Sequence, residues 1–131
     1  MRYFMGFAIL LFAGCSEPAQ EASPGRTIYM GNCVACHGAD GQGNGPIAAE
    51  LPVAPPDLTG LSLRNGGVFP SSDVMAQIYG YPGRFHVQVM PEFGQVLAGP
   101  TVMWTDETGT QIETPQPLLD LVEYLKSVQR I

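Results

Sequence analysis

The sequence predicts an all-α domain of three to four main helices, interrupted by a small β-hairpin near 101–114. Three observations carry this prediction. Toward the C-terminus, Leu118, Val122 and Leu125 fall at i, i+4 and i+7, and Leu121 and Val128 widen the stripe. Ser71 to Tyr79 carries a second apolar stripe of Val74, Met75 and Ile78. No alternation of strand-like and helix-like runs occurs, so a parallel sheet with crossover helices is not expected.

The 131 residues leave room for one domain. Hydrophobic residues make up 45%, which supports a core, whereas charged residues are only 14%. With 16 Gly and 12 Pro, that balance points to long ordered loops rather than disorder, since disorder requires high charge and few apolar residues. Loops wrapped round a bound cofactor would account for it.

The N-terminus reads as a targeting segment. Arg2 precedes an apolar run from Tyr3 to Ala13. The run is too short for a bilayer span of about 20 residues, but it suits the apolar region of a secretory signal. Leu11-Phe12-Ala13-Gly14-Cys15 resembles the lipobox of bacterial lipoproteins, where cleavage precedes a cysteine that is then lipidated. Phe12 departs from that pattern, in which leucine is usual. Residues 1–14 are therefore expected to be a lipoprotein signal peptide. Residues 15–23, small and polar, would be a flexible tether, and residues 24–131 the folded domain. The alternative is an ordinary cleaved signal, or an uncleaved anchor. Loss of residues 1–14 would leave five basic against twelve acidic residues, a net charge of −7. An acidic chain of this kind argues against nucleic acid as a partner.

The first helix is expected over Pro24 to Cys36, with Pro24 in its first turn. Ser71 or Ser72 is expected to cap the middle helix, with Asp73 in its first turn. The hairpin arms would be Val102-Met103-Trp104 and Gln111-Ile112-Glu113, with the turn near Glu107-Thr108-Gly109. The last helix should start near Thr114-Pro115 or Pro117 and end with Lys126 and Arg130 in its final turns.

Cys33-Val34-Ala35-Cys36-His37 carries the chemistry. Thiols three residues apart on a helix share one face, where both can add to the vinyl groups of a haem. His37 follows at once and would bring an imidazole nitrogen to the iron. A thioredoxin-like reading lacks the strand–helix setting it needs. A zinc reading lacks ligands, because only Cys15 and His86 remain as further cysteine or histidine. One such motif implies one haem c. It also leaves Cys15 without a disulfide partner, which lipidation would resolve.

These residues, with their surroundings, resemble the class I cytochrome c family of bacterial electron carriers. Gly25 and Tyr29 precede the motif as in that family's first helix. Gly38 to Pro46 is similar to its glycine-rich loop, Pro55 to Thr59 to the segment that follows, and Pro117 to Gln129 to its last helix. The resemblance implies that the Pro46 carbonyl accepts a hydrogen bond from the second nitrogen of His37. It also implies a methionine opposite the histidine. Met30 lies on the helix of the motif, Met75 on a core stripe and Met103 on a hairpin arm. Met90 opens Met90-Pro91-Glu92-Phe93, in a stretch without period, and Pro91 holds it extended. This matches the family's ligand loop, with Met103 and His86 as rivals.

The expected function is electron transfer in the periplasm by a lipid-anchored, non-enzymatic carrier that meets redox partner proteins there. Two alternatives stand beside it. One is a gas-binding haem sensor, and the other is a haem subunit of a larger dehydrogenase or reductase.

Overall fold

Ser23 starts the first helix: its side-chain oxygen accepts the Arg26 N–H at 3.2 Å. Pro24 takes the first helical position, where a missing N–H costs nothing. In the computed structural model, which describes residues 23–80 and 89–130, this helix is α1 (Pro24–Asn32). It is followed by α2 (Val34–His37), α3 (Leu61–Arg64), α4 (Ser71–Tyr79), β1 (Thr101–Thr105), β2 (Gln111–Pro115) and α5 (Gln116–Ser127), with single 3₁₀ turns at Ala48–Glu50 and Leu58–Gly60. The chain is thus mostly helical, with one small two-stranded sheet among the described residues. Cys15, the segment around it and His86 lie outside the described residues.

The helix expected over Pro24 to Cys36 is two helices in tandem. Cys33, with φ −112°, is the joint. Its N–H still reaches the Tyr29 carbonyl at 2.9 Å, and its own carbonyl accepts from both Cys36 and His37, at 3.3 and 2.9 Å. Cys33 therefore takes part in the hydrogen bonding of both helices.

Helix α1 crosses α5 closely. A Cβ on Gly25 would lie 1.9 Å from the Asp120 carbonyl oxygen, so only glycine permits the crossing. Any side chain there would push the helices apart, at a cost of roughly 1–3 kcal/mol. One turn on, Tyr29 is 1% exposed and packs its ring 5.3 Å from that of Tyr124 at 48°. Its hydroxyl donates to the Gly38 carbonyl at 2.7 Å, and burial raises its pKa far enough to keep it a neutral donor. Met75 and Ile78 of α4, Leu97, and Leu118, Leu121, Val122 and Leu125 of α5 complete the core.

The cap of α4 differs from expectation. Pro70 is the N-cap and offers no side-chain bond. Ser71 and Ser72 occupy the first helical positions, where they present N–H groups that need acceptors. Glu107, from the hairpin turn 35 residues away, supplies one. Its carboxylate accepts the Ser72 N–H at 3.2 Å and the Ser72 hydroxyl. The hydroxyl bond holds the Glu107 carboxyl below its ordinary range. Its folded pKa lies below the unfolded value, so the stabilisation is complete above about pH 4.5 and lost as pH falls through the folded value. Glu107→Gln should lower stability near neutral pH by about 0.5 kcal/mol, a small cap at an exposed site. In thermal unfolding followed against pH, the gap to wild type should close below pH 4.5.

The hairpin pairs Thr101 with Pro115, Met103 with Glu113 and Thr105 with Gln111. Asp106 closes its turn by accepting the N–H groups of Thr108 and Thr110 at 2.9 and 2.8 Å. The Met103–Glu113 face of the hairpin is exposed, whereas Trp104 and Ile112 on the other face are half-buried, with Trp104 packed on the core, and Thr114 and Pro115 are buried where β2 runs into α5.

Candidate haem site

The site is built on the end of α1 and on α2. Cys33, Cys36 and His37 lie within one turn of a short stretch, so both thiols and the imidazole come from a single structural unit. Both cysteines are free thiols and partly buried. Burial, with the Cys36 thiol as a second cause, pushes the Cys33 pKa up to about 11. The thiol is neutral at physiological pH, opposite to the depressed value that marks a reactive thioredoxin-type cysteine. Among the described residues no three Cys, His, Asp or Glu side chains are grouped to hold a metal ion.

His37 is 8% exposed. Burial lowers its pKa, partly opposed by a backbone carbonyl at Nδ1, so the imidazole is in the neutral form that ligates metals. That carbonyl belongs to Pro56, 3.4 Å away. The expected acceptor, Pro46, is not in this position: it is exposed, at the outer end of the glycine-rich loop. The physical reason lies in how the loop runs. Gly43 donates to the His37 carbonyl at 2.8 Å, Gly45 to Cys36 at 3.1 Å and Ile47 to Ala35 at 3.1 Å. The loop is therefore spent on the open carbonyls at the end of α2, and the chain returns to the ring only with Pro55-Pro56. Gly43 has φ +80°, and a Cβ there would lie 2.2 Å from the Pro55 carbonyl oxygen, so a glycine is required where the two segments meet. With Nδ1–H given to Pro56, Nε2 keeps its lone pair for iron.

The methionines separate by burial. Met75 is 2% exposed in the core, whereas Met103 is 59% exposed on the hairpin and Met30 is 39% exposed on α1. Met90 is half-buried and packs at the margin of the core, as do Cys33, Val34 and Phe93. Its loop docks on the end of α4: the Phe93 N–H donates to Ile78 at 2.8 Å, and Leu97 closes a turn onto Phe93 at 2.9 Å. Two thiols on one turn, a neutral histidine with one nitrogen committed and a thioether on a pinned loop suit a covalently attached haem. In such a site Cys33 and Cys36 would hold the ring, while His37 and Met90 would offer nitrogen and sulfur to its iron.

Sequence reasoning missed the residues that hold Pro56. Asp57 caps the following 3₁₀ turn through Thr59, at 2.8 Å to its N–H and 2.6 Å to its hydroxyl. The hydroxyl bond is the main reason the Asp57 carboxyl sits below its ordinary pKa. An Asp-x-Thr after two prolines was the available signal for such a turn.

Comparison with known proteins agrees with this chemistry. The family model described as Cytochrome c matches residues 22–129. A cbb3-type cytochrome c oxidase subunit CcoP from Azospirillum brasilense is 43% identical over 51 residues, which is 39% of this chain and 17% of that protein. The chain thus corresponds to a small part of that relative's length. No solved structure matches.

Proposed function

Because the chain belongs to the cytochrome c family, whose members bind covalent haem c and carry electrons, we propose that it is a single-haem carrier with His37 and Met90 as the axial ligands. When bound, the haem supplies an iron that alternates between ferric and ferrous states. The protein's part is to hold that iron between a nitrogen and a sulfur and to keep both in place through the change. The observation that carries the reading is the state of His37. It is buried, its Nδ1 lies 3.4 Å from the Pro56 carbonyl oxygen, and it directly follows a cysteine of the pair that would attach the ring. A methionine opposite it raises the potential, which suits delivery of electrons to an oxidase or reductase.

A carrier with both axial positions filled has no vacant site for a gas. The ferrous wild-type protein should therefore fail to bind carbon monoxide at neutral pH while exchanging electrons rapidly with a soluble mediator. Strong carbon monoxide binding would favour a sensor instead.

The CcoP relative supports a second reading, in which this domain serves as the haem subunit of a larger membrane oxidase. Co-purification with other redox subunits from native membranes would favour it, and isolation of the chain alone would favour a free carrier.

The carrier faces the periplasm and is held to a membrane by lipid on Cys15, behind a signal peptide at 1–14 and a tether at 15–23. The support is the lipobox-like run ending at Cys15. Among the described residues no helix is long and apolar enough to cross a membrane. Two or more acyl chains give stable anchoring where one is marginal. Wild-type protein should sediment with membranes, and Cys15→Ser behind a standard signal should be released as soluble haem protein. A soluble wild-type protein would contradict the anchor.

A further inference from the structure

We infer that Gln129 and Arg130, which follow α5, are positioning residues for the axial histidine: they hold the Pro56 segment so that its carbonyl meets His37 Nδ1. This rests on the reading of His37 as an iron ligand.

The contact in question is long. At 3.4 Å, the strength of the His37–Pro56 bond depends steeply on where the Pro56 segment sits. That segment has little regular structure of its own beyond the turn Leu58–Gly60, so its position must be fixed from outside. On one side the Leu58 N–H donates to the Gly41 carbonyl at 2.7 Å. On the other side stands the tail of α5. Gln129 Nε2 donates to the Leu58 carbonyl at 2.7 Å, while its Oε1 accepts the Ser62 N–H at 2.9 Å. The Arg130 N–H donates to the Thr59 carbonyl at 2.8 Å, and its guanidinium pairs with the Asp57 carboxylate. Arg64 takes the Asp57 carbonyl. Three consecutive carbonyls, Asp57 to Thr59, are thus each engaged, two of them by residues about 70 positions away.

The amide of Gln129 is itself fixed, because Nε2 also donates to the Leu125 carbonyl of α5 at 2.8 Å. Helix α5 is in turn seated on α1 through Gly25 and the Tyr29–Tyr124 pair, and α1 leads into the Cys33–His37 turn. The imidazole and the carbonyl that orients it are therefore referenced to one packed helix pair. His37 is reached through α1, and Pro56 through the tail of α5. Groups of this kind, which touch the ligand's partner and not the ligand, set its orientation and basicity.

The sign of the effect separates positioning from general support. A firm Nδ1–H···O=C bond makes the imidazole a stronger donor, which favours ferric iron and lowers the potential. Releasing the Pro56 segment weakens the bond and raises the potential. General loosening that admits water to the haem favours the charged ferric centre and lowers it.

The test uses haem-loaded Gln129→Ala, Arg130→Ala and Arg130→Lys. Midpoint potentials are measured by equilibrium titration, and the His37 Nδ1–H resonance is measured in the ferrous protein. Gln129→Ala should raise the potential and move the Nδ1–H signal upfield, as a weakened bond requires. Arg130→Ala should do the same to a smaller extent, because its backbone N–H remains, and Arg130→Lys should return toward wild type. If Gln129→Ala does not accumulate, Gln129→Glu replaces it. That variant keeps the acceptor for Ser62, loses the donor to Leu58 and should shift both readouts in the same directions. An unchanged potential and resonance with only a lower melting temperature, or a lowered potential, would overturn the positioning role. A wild-type protein whose His37 ring signals carry no imprint of the haem would overturn the ligand reading itself, which distinguishes the two failures.

Discussion

Cys33→Ala combined with Cys36→Ala should yield a chain from which all haem is removed by denaturation. In the proposed site each thiol is one attachment point, and both lie on the same turn. His37 remains in the variant, but a single imidazole–iron bond does not survive unfolding as a thioether does. Loss of the cofactor also removes a group that binds only the folded state, so the melting temperature should drop with it. The single variants should be intermediate, each keeping one thioether. The checks are haem staining after denaturing electrophoresis and a thermal scan of the native protein. Retention of haem by the double variant would place the attachment elsewhere.

Met90→Ala should leave the haem attached and change nearly everything about the iron. The near-infrared band of thioether-ligated ferric haem c should disappear. The potential should fall, since methionine is the ligand that raises it. The ferrous variant should gain carbon monoxide binding through the vacated position. Met103→Ala should do none of this, because its side chain is 59% exposed on the hairpin. Met75→Ala should also leave the band, but at a cost of roughly 2–5 kcal/mol, because it empties a core position that is 2% exposed. Persistence of the band in Met90→Ala and its loss in Met103→Ala would give the ligand to the hairpin. Its absence from wild type would leave the distal position open or held by His86.

What could be read from the sequence follows from which interactions are local. Ser71–Tyr79 forms the expected helix because its apolar period and terminal Gly80 lie within a few residues of each other. The hairpin was legible for the same reason: its arms alternate and Gly109 supplies the left-handed residue the turn needs, at φ +85°. The joint at Cys33 was not legible, since a one-residue change of pitch leaves the periodicity intact. Two other expectations gave way because they depended on long-range partners. Glu107, not Ser71 or Ser72, completes the start of α4, and Pro56, not Pro46, reaches His37. In both cases the sequence offers several residues of the right type, and only the folded path selects one. The roles of Asp57, Gln129 and Arg130 were hidden likewise, because a clamp across about 70 residues leaves no periodic trace.

The account rests above all on one covalent haem at Cys33 and Cys36, and mass spectrometry of the wild-type protein after denaturation and proteolysis tests this most directly. The peptide spanning Cys33 to His37 should carry the mass of one haem, bonded through both sulfurs. The same peptide found unmodified, with two free thiols and the haem released intact, would contradict it.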